Sequence, residues 1–321
     1  MRDKIGEFFT MVPTALAGLA LAIASLGWSW ENIGAFHGTV QITGALIASL
    51  LLAILSLKFL LNPSVLKEDI AHYMKGSMVP TFAMTTMVIA SSVNYFNHQV
   101  AVGLWLIAII FHLFFFIMFI YYRIQNVKFE HLLPSWFIPP IGIAVATISL
   151  PQGTLGTELQ KIATISLQFG FVVYALMLPI LIYRCFRYKK LTPPEQPTLA
   201  IFATPASLLL VGYLAAIEEP NYLSVILLSL LALSMTLFVY YCFKPLLRLP
   251  FTPAYAAFTF PLVMGATAMF KVSQFLQQSG SHEWLVKTVQ YIAYMELFFA
   301  TGMVLYVCAR YLEYFKQPKS C

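Results

Sequence analysis

The sequence predicts an all-α polytopic membrane protein, and its composition, its hydropathy pattern and its loop charges all support that fold class. Of 321 residues, 60% are hydrophobic and only 10% are charged, against about 45–50% and about 25% in ordinary globular domains. A chain with so few polar residues cannot cover a water-facing surface. The composition therefore excludes a soluble globule, a disordered chain and a coiled coil.

Ten stretches of the sequence are long and apolar enough to form membrane helices. A helix needs about 20 mostly apolar residues to cross roughly 30 Å of hydrocarbon, and the breaks between the stretches are short and polar. We therefore predict a single transmembrane domain, 1–321. Its spans lie near residues 10–30, 39–61, 78–96, 99–122, 134–151, 162–184, 198–217, 222–244, 253–277 and 285–312.

The lysines and arginines are distributed very unevenly between the two sides of this span pattern. Sixteen of the 19 fall on the side that carries both termini, Lys161 and Lys287 fall on the other, and Lys271 lies inside span nine. Cytoplasmic loops of membrane proteins carry the excess of Lys and Arg. The split predicts a membrane protein with both termini in the cytoplasm, and we expect the membrane to be a bacterial inner membrane. The split also explains the net charge of +6 without a nucleic-acid partner.

The residue groups that mark an enzyme or a metal centre are not found in the sequence. Cys185, Cys242, Cys308 and Cys321 have no metal-site spacing and are expected to be free thiols. The sequence contains no His-Glu-x-x-His, its six histidines are scattered, and no Ser/His/Asp set converges on one membrane depth. We therefore predict no enzyme activity, no cofactor and no metal site.

Prolines recur in the odd-numbered spans, at Pro13, Pro80, Pro139, Pro205 and Pro261. The 248 residues from the first of these to the last make four steps of 62 on average, the length of two membrane helices with their loops. Proline removes a backbone hydrogen bond and bends a helix, and in hydrocarbon the freed carbonyl must face protein or water. The period predicts five tandem helical hairpins, with kinked odd helices around an inner pore and even helices in an outer ring.

The residues near these prolines favour an anion as the species that passes. They are small or hydroxylated, and no Asp or Glu lies within an odd span. Hydroxyl donors and partly exposed backbone N–H groups favour anions, whereas cation paths carry rings of carboxylates. Lys271 adds one positive charge for anion attraction near the outer mouth. The alternative is a snorkelling lysine whose ammonium group reaches the interface.

Two further ionisable residues lie in the middle of even spans. His112 is 13 residues beyond Gln99, and Glu296 is 11 residues beyond Leu285. Intramembrane ionisable groups are candidates for proton coupling, and Lys271 is a candidate partner for Glu296. The alternative for each is a neutral, hydrogen-bonded residue at a helix or subunit contact.

Several segments resemble the tellurite-resistance/dicarboxylate transporter (TDT) family, which includes bacterial TehA, fungal malate permeases and plant guard-cell slow anion channels. The most specific is Ala-Ala-Phe-Thr-Phe-Pro at 256–261, which is similar to an aromatic-rich segment of the family, and residues 134–139 and 203–207 are also similar. Ala256 departs from the family pattern, which has an aromatic residue there. The His-Pro that members often carry before span three is absent as well.

The resemblance implies a homotrimer in the lipid bilayer with one pore in each protomer. It also implies a phenylalanine that plugs the pore, which maps onto Phe260 as the pore gate and leaves Phe258 as a packing residue. The implied function is a channel or uniporter for small anions. The alternative is a proton-coupled carrier of C4 dicarboxylates such as malate, or of tellurite and other oxyanions. Such a carrier would need Lys271 as its substrate-binding cation and His112 or Glu296 as its protonatable group.

Cysteine labelling tests the predicted orientation. In a cysteine-free background, a membrane-impermeant maleimide added outside should label Asn97→Cys and Glu219→Cys, because the charge split puts both loops outside. It should leave Lys189→Cys unlabelled until the membrane is permeabilised. The reverse pattern would invert the topology, and outside labelling at all three positions would refute the span count.

Overall fold

A computed structural model describes residues 9–34, 36–154 and 158–316, and in these ranges the chain forms helices and no strand. We number the ten main helical segments α1 to α10 in chain order. They are Leu16–Trp30, Thr39–Leu61, Lys75–Val93, His98–Gln125, Pro134–Ile148, Glu158–Tyr188, Gln196–Ala216, Tyr222–Leu246, Pro253–Gln278 and Glu283–Lys316. A short helix between α2 and α3, Pro63–Ala71, is called the linker helix.

The chain is a polytopic, all-helical membrane protein. Among the described residues, eight of these segments are long and apolar enough, by length and composition, to cross a membrane. The other two, α1 and α5, are shorter apolar helices. The segments match the predicted spans to within a few residues except at α1, which begins at Leu16 rather than near residue 10 because the backbone around Pro13 forms turns.

Burial alternates along the chain. In their most apolar windows, 72%, 67% and 94% of the residues of α3, α7 and α9 are buried, against 28–39% in the even-numbered helices. The outward positions of the even helices carry large apolar side chains such as Leu50, Ile117 and Leu305. Protein therefore encloses these odd helices, and the even helices present the apolar surface that a bilayer requires.

The odd helices are broken next to their prolines. Stretches of 3-10 helix at Pro134–Phe137 and Gln196–Phe202 lead directly into α-helix, and the stretch Pro253–Phe258 does so after the single residue Thr259. The prolines are predicted to bend continuous helices, but Pro139 and Pro261 instead lie in the first turn of an α-helical part. A first-turn residue has no intrahelical partner for its N–H, so proline costs no hydrogen bond there. The break precedes the proline.

Loops that the charge pattern assigns to one side contact one another. Tyr73, between α2 and α3, stacks on His131, between α4 and α5, with ring centroids 4.4 Å apart. The same Tyr73 donates a 2.8 Å hydrogen bond to Glu195, between α6 and α7. On the other side, the hydroxyl oxygen of Tyr222, at the start of α8, lies 3.4 Å from the hydroxyl oxygen of Ser281, between α9 and α10. The loops thus form two sets, as the predicted alternation requires.

Which set faces the cytoplasm stays a prediction, and the terminal charges Arg2, Lys4 and Lys319 lie outside the described residues.

Cys321 also lies outside the described residues. The three described cysteines, Cys185, Cys242 and Cys308, are free thiols.

Two of the cations in the charge count, Arg123 near the end of α4 and Arg184 near the end of α6, are buried. Arg184 donates to the carbonyls of Phe129, Glu130 and Lys189 at 3.1, 2.5 and 2.6 Å, and Arg123 donates to a carbonyl at the end of the linker helix. Buried carbonyls need donors. These cations therefore organise the loops in addition to contributing to the charge asymmetry.

Helices α1 and α2 approach each other through glycines. A Cβ atom on Gly27 would lie 2.5 Å from the carbonyl oxygen of Val40, and one on Gly44 would lie 2.7 Å from that of Ile23. Both obstacles are backbone atoms, which cannot turn aside as a side chain can. Small residues at this contact let the two backbones pack directly, as in many membrane helix pairs.

Replacing Gly44 tests this contact. Gly44→Ala should lower the thermal stability of the protein in detergent, because the overpacking of a tight contact costs about 1–3 kcal/mol. Gly302→Ala in α10 is the control, since nothing lies within 4 Å of its Cβ position. Alanine there should leave the stability unchanged or raise it by up to about 1 kcal/mol. Equal stability of the two variants would contradict the close contact.

Candidate functional site

A cavity of about 50 Å³, here called the central cavity, lies among the five odd-numbered helices. Each of these helices contributes residues to its wall, and the residues that line it come only from these helices or from Ala15, directly before α1. One residue from each helix illustrates the arrangement: Gly18, Thr81, Ile141, Thr204 and Phe260. The proline repeat and this cavity therefore occur on the same five elements.

The wall of the central cavity is apolar and uncharged. Its only hydroxyl-bearing residues are Thr81 and Thr204, and none of its described residues is ionisable. The Thr81 hydroxyl donates a 2.6 Å hydrogen bond to the Met78 carbonyl. The side chains of the wall thus supply no fixed charge to a species inside it.

The backbone around the central cavity supplies partial positive charge. Four long α-helical parts begin beside it, each starting at a lining residue or directly next to one: Leu16–Trp30, Thr81–Val93, Ala203–Ala216 and Phe260–Gln278. The turns before these parts already supply acceptors to N–H groups of their first turns, as at Leu16, Phe82, Ala203 and Leu262. The partial positive charge at these ends therefore comes from the backbone dipole rather than from free donors. Four such ends around one small cavity favour an anion there.

Phe260 and Phe258 lie in different surroundings. Phe260 lines the central cavity and is 6% exposed. Phe258 is fully buried, and its ring centroid is 5.3 Å from that of Phe243 in α8 and 4.7 Å from that of Tyr255. Of the two rings, only Phe260 contacts the cavity.

The five prolines are placed differently with respect to the cavities. Pro205 and Pro261 line the central cavity. Pro13 lines a second cavity described below, Pro80 directly precedes the lining residue Thr81, and the Pro139 carbonyl accepts a hydrogen bond from α4. All five lie at or next to a helix break, and two of them contact the candidate pore.

His112 of α4 donates the hydrogen bond to the Pro139 carbonyl. It is fully buried, and its Nε2 lies 2.9 Å from the Pro139 oxygen. Because a carbonyl only accepts, Nε2 carries the proton. A Cβ atom on the cavity-lining Gly142 would lie 2.9 Å from the ring. His112 therefore supports the break in α5 from behind the cavity wall, which matches the hydrogen-bonded alternative for this residue.

Lys271 and Glu296 do not form the pair considered from the sequence. The ammonium nitrogen of Lys271 is 3.2 Å from Gln274 Oε1. Glu296 is buried against Gly265 of α9, and within the described part of the chain its Oε2 has no hydrogen-bond partner. Neither residue lines the central cavity. The three ionisable residues proposed for proton coupling and anion attraction are thus not brought together.

A second cavity of about 500 Å³, here called the linker cavity, lies between the linker helix, the turn before α1 and the start of α9. Its wall contains a buried cluster that was not predicted from the sequence. Lys58 Nζ is 2.7 Å from Asp69 Oδ2 and 2.8 Å from Thr14 Oγ1, and Thr14 Oγ1 is 2.5 Å from the same Asp69 oxygen. The half-exposed ammonium of Lys75 lies 3.3 Å from Asp69 Oδ1.

This cluster joins three parts of the chain: the turn before α1, the end of α2 and the linker helix. Burial raises the pKa of Asp69, but the hydrogen bonds from Lys58 and Thr14 and the nearby lysine charges outweigh it and hold this pKa below its ordinary value. The sequence signal was a single lysine in the apolar run 39–61, 11 residues before an aspartate. The charge count treats Lys58 only as one of the 16 cations on the side that carries both termini, and it does not predict the contact with Asp69.

Within the described residues, no group of three or more His, Cys, Asp or Glu is arranged to hold a metal ion.

A family model described as "Voltage-dependent anion channel" matches residues 7–312. Two proteins of Methanocaldococcus jannaschii, the uncharacterized transporters MJ0576 and MJ0762, are each 27% identical to the chain, over 241 and 237 residues. These alignments cover 64% of this chain and 67% and 66% of the two relatives, so the chain spans about two thirds of their length.

The Asp69 cluster predicts a specific pH dependence of stability. Because the folded-state pKa of Asp69 lies below the unfolded value of about 3.9, its contribution is fully present above that value and is lost as the pH falls through the folded one. Asp69→Asn should lower the thermal midpoint at pH 7 and weaken the loss of stability in acid. It leaves Lys58 buried and unpaired, which costs about 3–5 kcal/mol.

The double variant Lys58→Met/Asp69→Leu is the matched control for this prediction. It removes both charges, so it should recover most of the stability that Asp69→Asn loses. An Asp69→Asn protein as stable as the wild type at pH 7 would contradict the cluster.

Proposed function

This chain belongs to the voltage-dependent anion channel family, whose model matches residues 7–312, and from that premise we propose that it is a transmembrane channel or uniporter for small anions. The family resemblance found in the sequence is thereby confirmed. The two relatives are also named as transporters. The family and the relatives together support anion transport across a membrane.

The observation that supports anion conduction is the direction of the helices around the central cavity. Four α-helical parts begin there, and none of the described lining residues is charged. An anion in the cavity would be stabilised by partial positive charges, with no carboxylate to repel it. A cation would meet the same partial charges with no compensating acceptor side chain.

We propose that the five odd helices form an inner pore and the five even helices an outer ring, so that one domain of ten spans makes up 1–321. The burial of α3, α7 and α9 and the exposure of the even helices support this arrangement. α1 and α5 would cross as short, protein-enclosed helices. From the resemblance and the charge split, we further propose a homotrimer in a bacterial inner membrane with both termini inside.

We propose Phe260 as the gate of this pore. Its ring lines a cavity whose wall is already apolar. A phenyl ring across such a path blocks it sterically and leaves a constriction that resists wetting. Phe260 is the first residue of an α-helical part and precedes Pro261, so it lies just after the break in α9.

The small-anion proposal is better supported than a proton-coupled C4-dicarboxylate or tellurite carrier. Such a carrier would need a cation and a protonatable group at its substrate site, yet Lys271, His112 and Glu296 all lie outside the wall of the central cavity. A volume of about 50 Å³ has room for a few water-sized species. A four-carbon dicarboxylate would require the cavity to expand.

Removing the ring of Phe260 tests the gate. Phe260→Ala should raise the anion current of the reconstituted protein from background to a clearly measurable level, because it opens the constriction while keeping the backbone break. The measurement is the current in planar bilayers, with the thermal midpoint taken in the same detergent.

Phe258→Ala is the matched control, since it removes the same ring two residues away. It should cost about 3–5 kcal/mol as a deletion in a packed layer and should leave the current at background. Conduction by Phe258→Ala with a closed Phe260→Ala would move the gate by two residues. No current from either folded variant would refute a single plug.

A further inference from the structure

Thr204 differs from the other threonines of the ten described helices in that its hydroxyl has no hydrogen-bond partner. It lines the central cavity, is 8% exposed, and within the described residues its Oγ1 has no hydrogen-bond partner. A threonine inside a helix usually bonds the carbonyl four residues before it. Thr85, Thr236 and Thr267 do so at 2.7, 3.0 and 2.8 Å.

Thr204 lies just after the break in α7. The residue four positions before it, Ala200, lies in the 3-10 stretch Gln196–Phe202, and its carbonyl accepts from the N–H of Ala203. The tighter winding of that stretch changes the path of the backbone just before Thr204. The Thr204 hydroxyl bonds neither the Ala200 carbonyl nor the Ile201 carbonyl, whereas Thr259, just after the 3-10 stretch of α9, bonds the carbonyl three residues before it at 2.6 Å.

Thr81 provides the comparison within the same cavity. It is the other hydroxyl-bearing residue of the wall, but its proton is committed to the Met78 carbonyl at 2.6 Å. A buried hydroxyl without a partner costs free energy. Thr204 is therefore the side chain of the described wall that has a hydrogen-bond donor free for a species inside the cavity.

We propose that the Thr204 hydroxyl is a binding point for a small inorganic anion and sets the order in which such anions permeate. This inference rests on the proposed anion conduction and deepens it. An anion that enters so apolar a cavity loses part of its hydration shell, and one fixed O–H donor replaces part of what is lost. The replacement matters most for strongly hydrated anions such as chloride and least for weakly hydrated ones such as thiocyanate.

Permeability ratios in the opened pore test the proposal. In a Phe260→Ala background, Thr204→Val should lower the chloride-to-thiocyanate permeability ratio, taken from reversal potentials, by roughly fivefold, the effect of one net hydrogen bond. Thr204→Ser keeps a donor and should retain most of the ratio. Thr81→Val is the matched control and should leave the ratio unchanged.

Stability measurements separate this role from a structural one. Thr204 makes no hydrogen bond that its replacement would break, so Thr204→Val should keep or raise the thermal midpoint. In the wild-type protein with Phe260 in place, replacing gluconate by chloride should raise the midpoint, because an ion that binds only the folded state stabilises it. Thr204→Val should remove that increase.

Each result bears on one claim. A Phe260→Ala protein that conducts, with a ratio that Thr204→Val does not change, overturns the role of Thr204 and leaves the proposed function intact. A Phe260→Ala protein that stays closed counts against the gate, and the chloride-dependent midpoint then decides the role of Thr204 alone. A chloride effect equal in the wild type and in Thr204→Val, or a marked loss of stability in Thr204→Val, also overturns it.

Discussion

Inside a bilayer core the backbone has no water to bond with, so any interruption of a membrane helix must be enclosed by protein. The organisation of this chain follows from that constraint. Within the ten described segments, the stretches of 3-10 helix lie in the odd-numbered helices, and α3, α7 and α9 are 67–94% buried in their most apolar windows. The even-numbered helices are 28–39% buried in theirs. Over most of their length these helices bond their own backbone groups, so they tolerate contact with lipid.

Enclosing the breaks also creates the candidate site. When five interrupted helices meet, the start of each α-helical part lies near the others, and four long parts begin beside the central cavity. Their N-terminal partial charges are available without any ionised side chain in the wall. An even-numbered helix contributes to the same region, since His112 of α4 donates a hydrogen bond to the Pro139 carbonyl at the break in α5. One set of breaks thus provides the space and its electrostatic preference.

At the ends of the helices, the charges that are expected to orient the chain also build its structure. Lys58 is buried with Thr14 and Asp69, and Arg184 bonds three loop carbonyls. Thr14 is adjacent to Ala15, which lines the central cavity. The linker helix is thereby attached to the turn before α1, next to the wall of the central cavity.

The sequence by itself determined where the helices lie and which of them are interrupted, because hydropathy is a property of local composition and proline acts through its own covalent geometry. The tertiary structure alone decided which side chains meet. Most helices here are apolar on every side, so periodicity does not reveal how each is rotated against its neighbours. For that reason the sequence suggested a pairing of Lys271 with Glu296 that does not form. It did not reveal the contact of Lys58 with Asp69. Only the packing of the five odd-numbered helices distinguished the free hydroxyl of Thr204 from the committed one of Thr81.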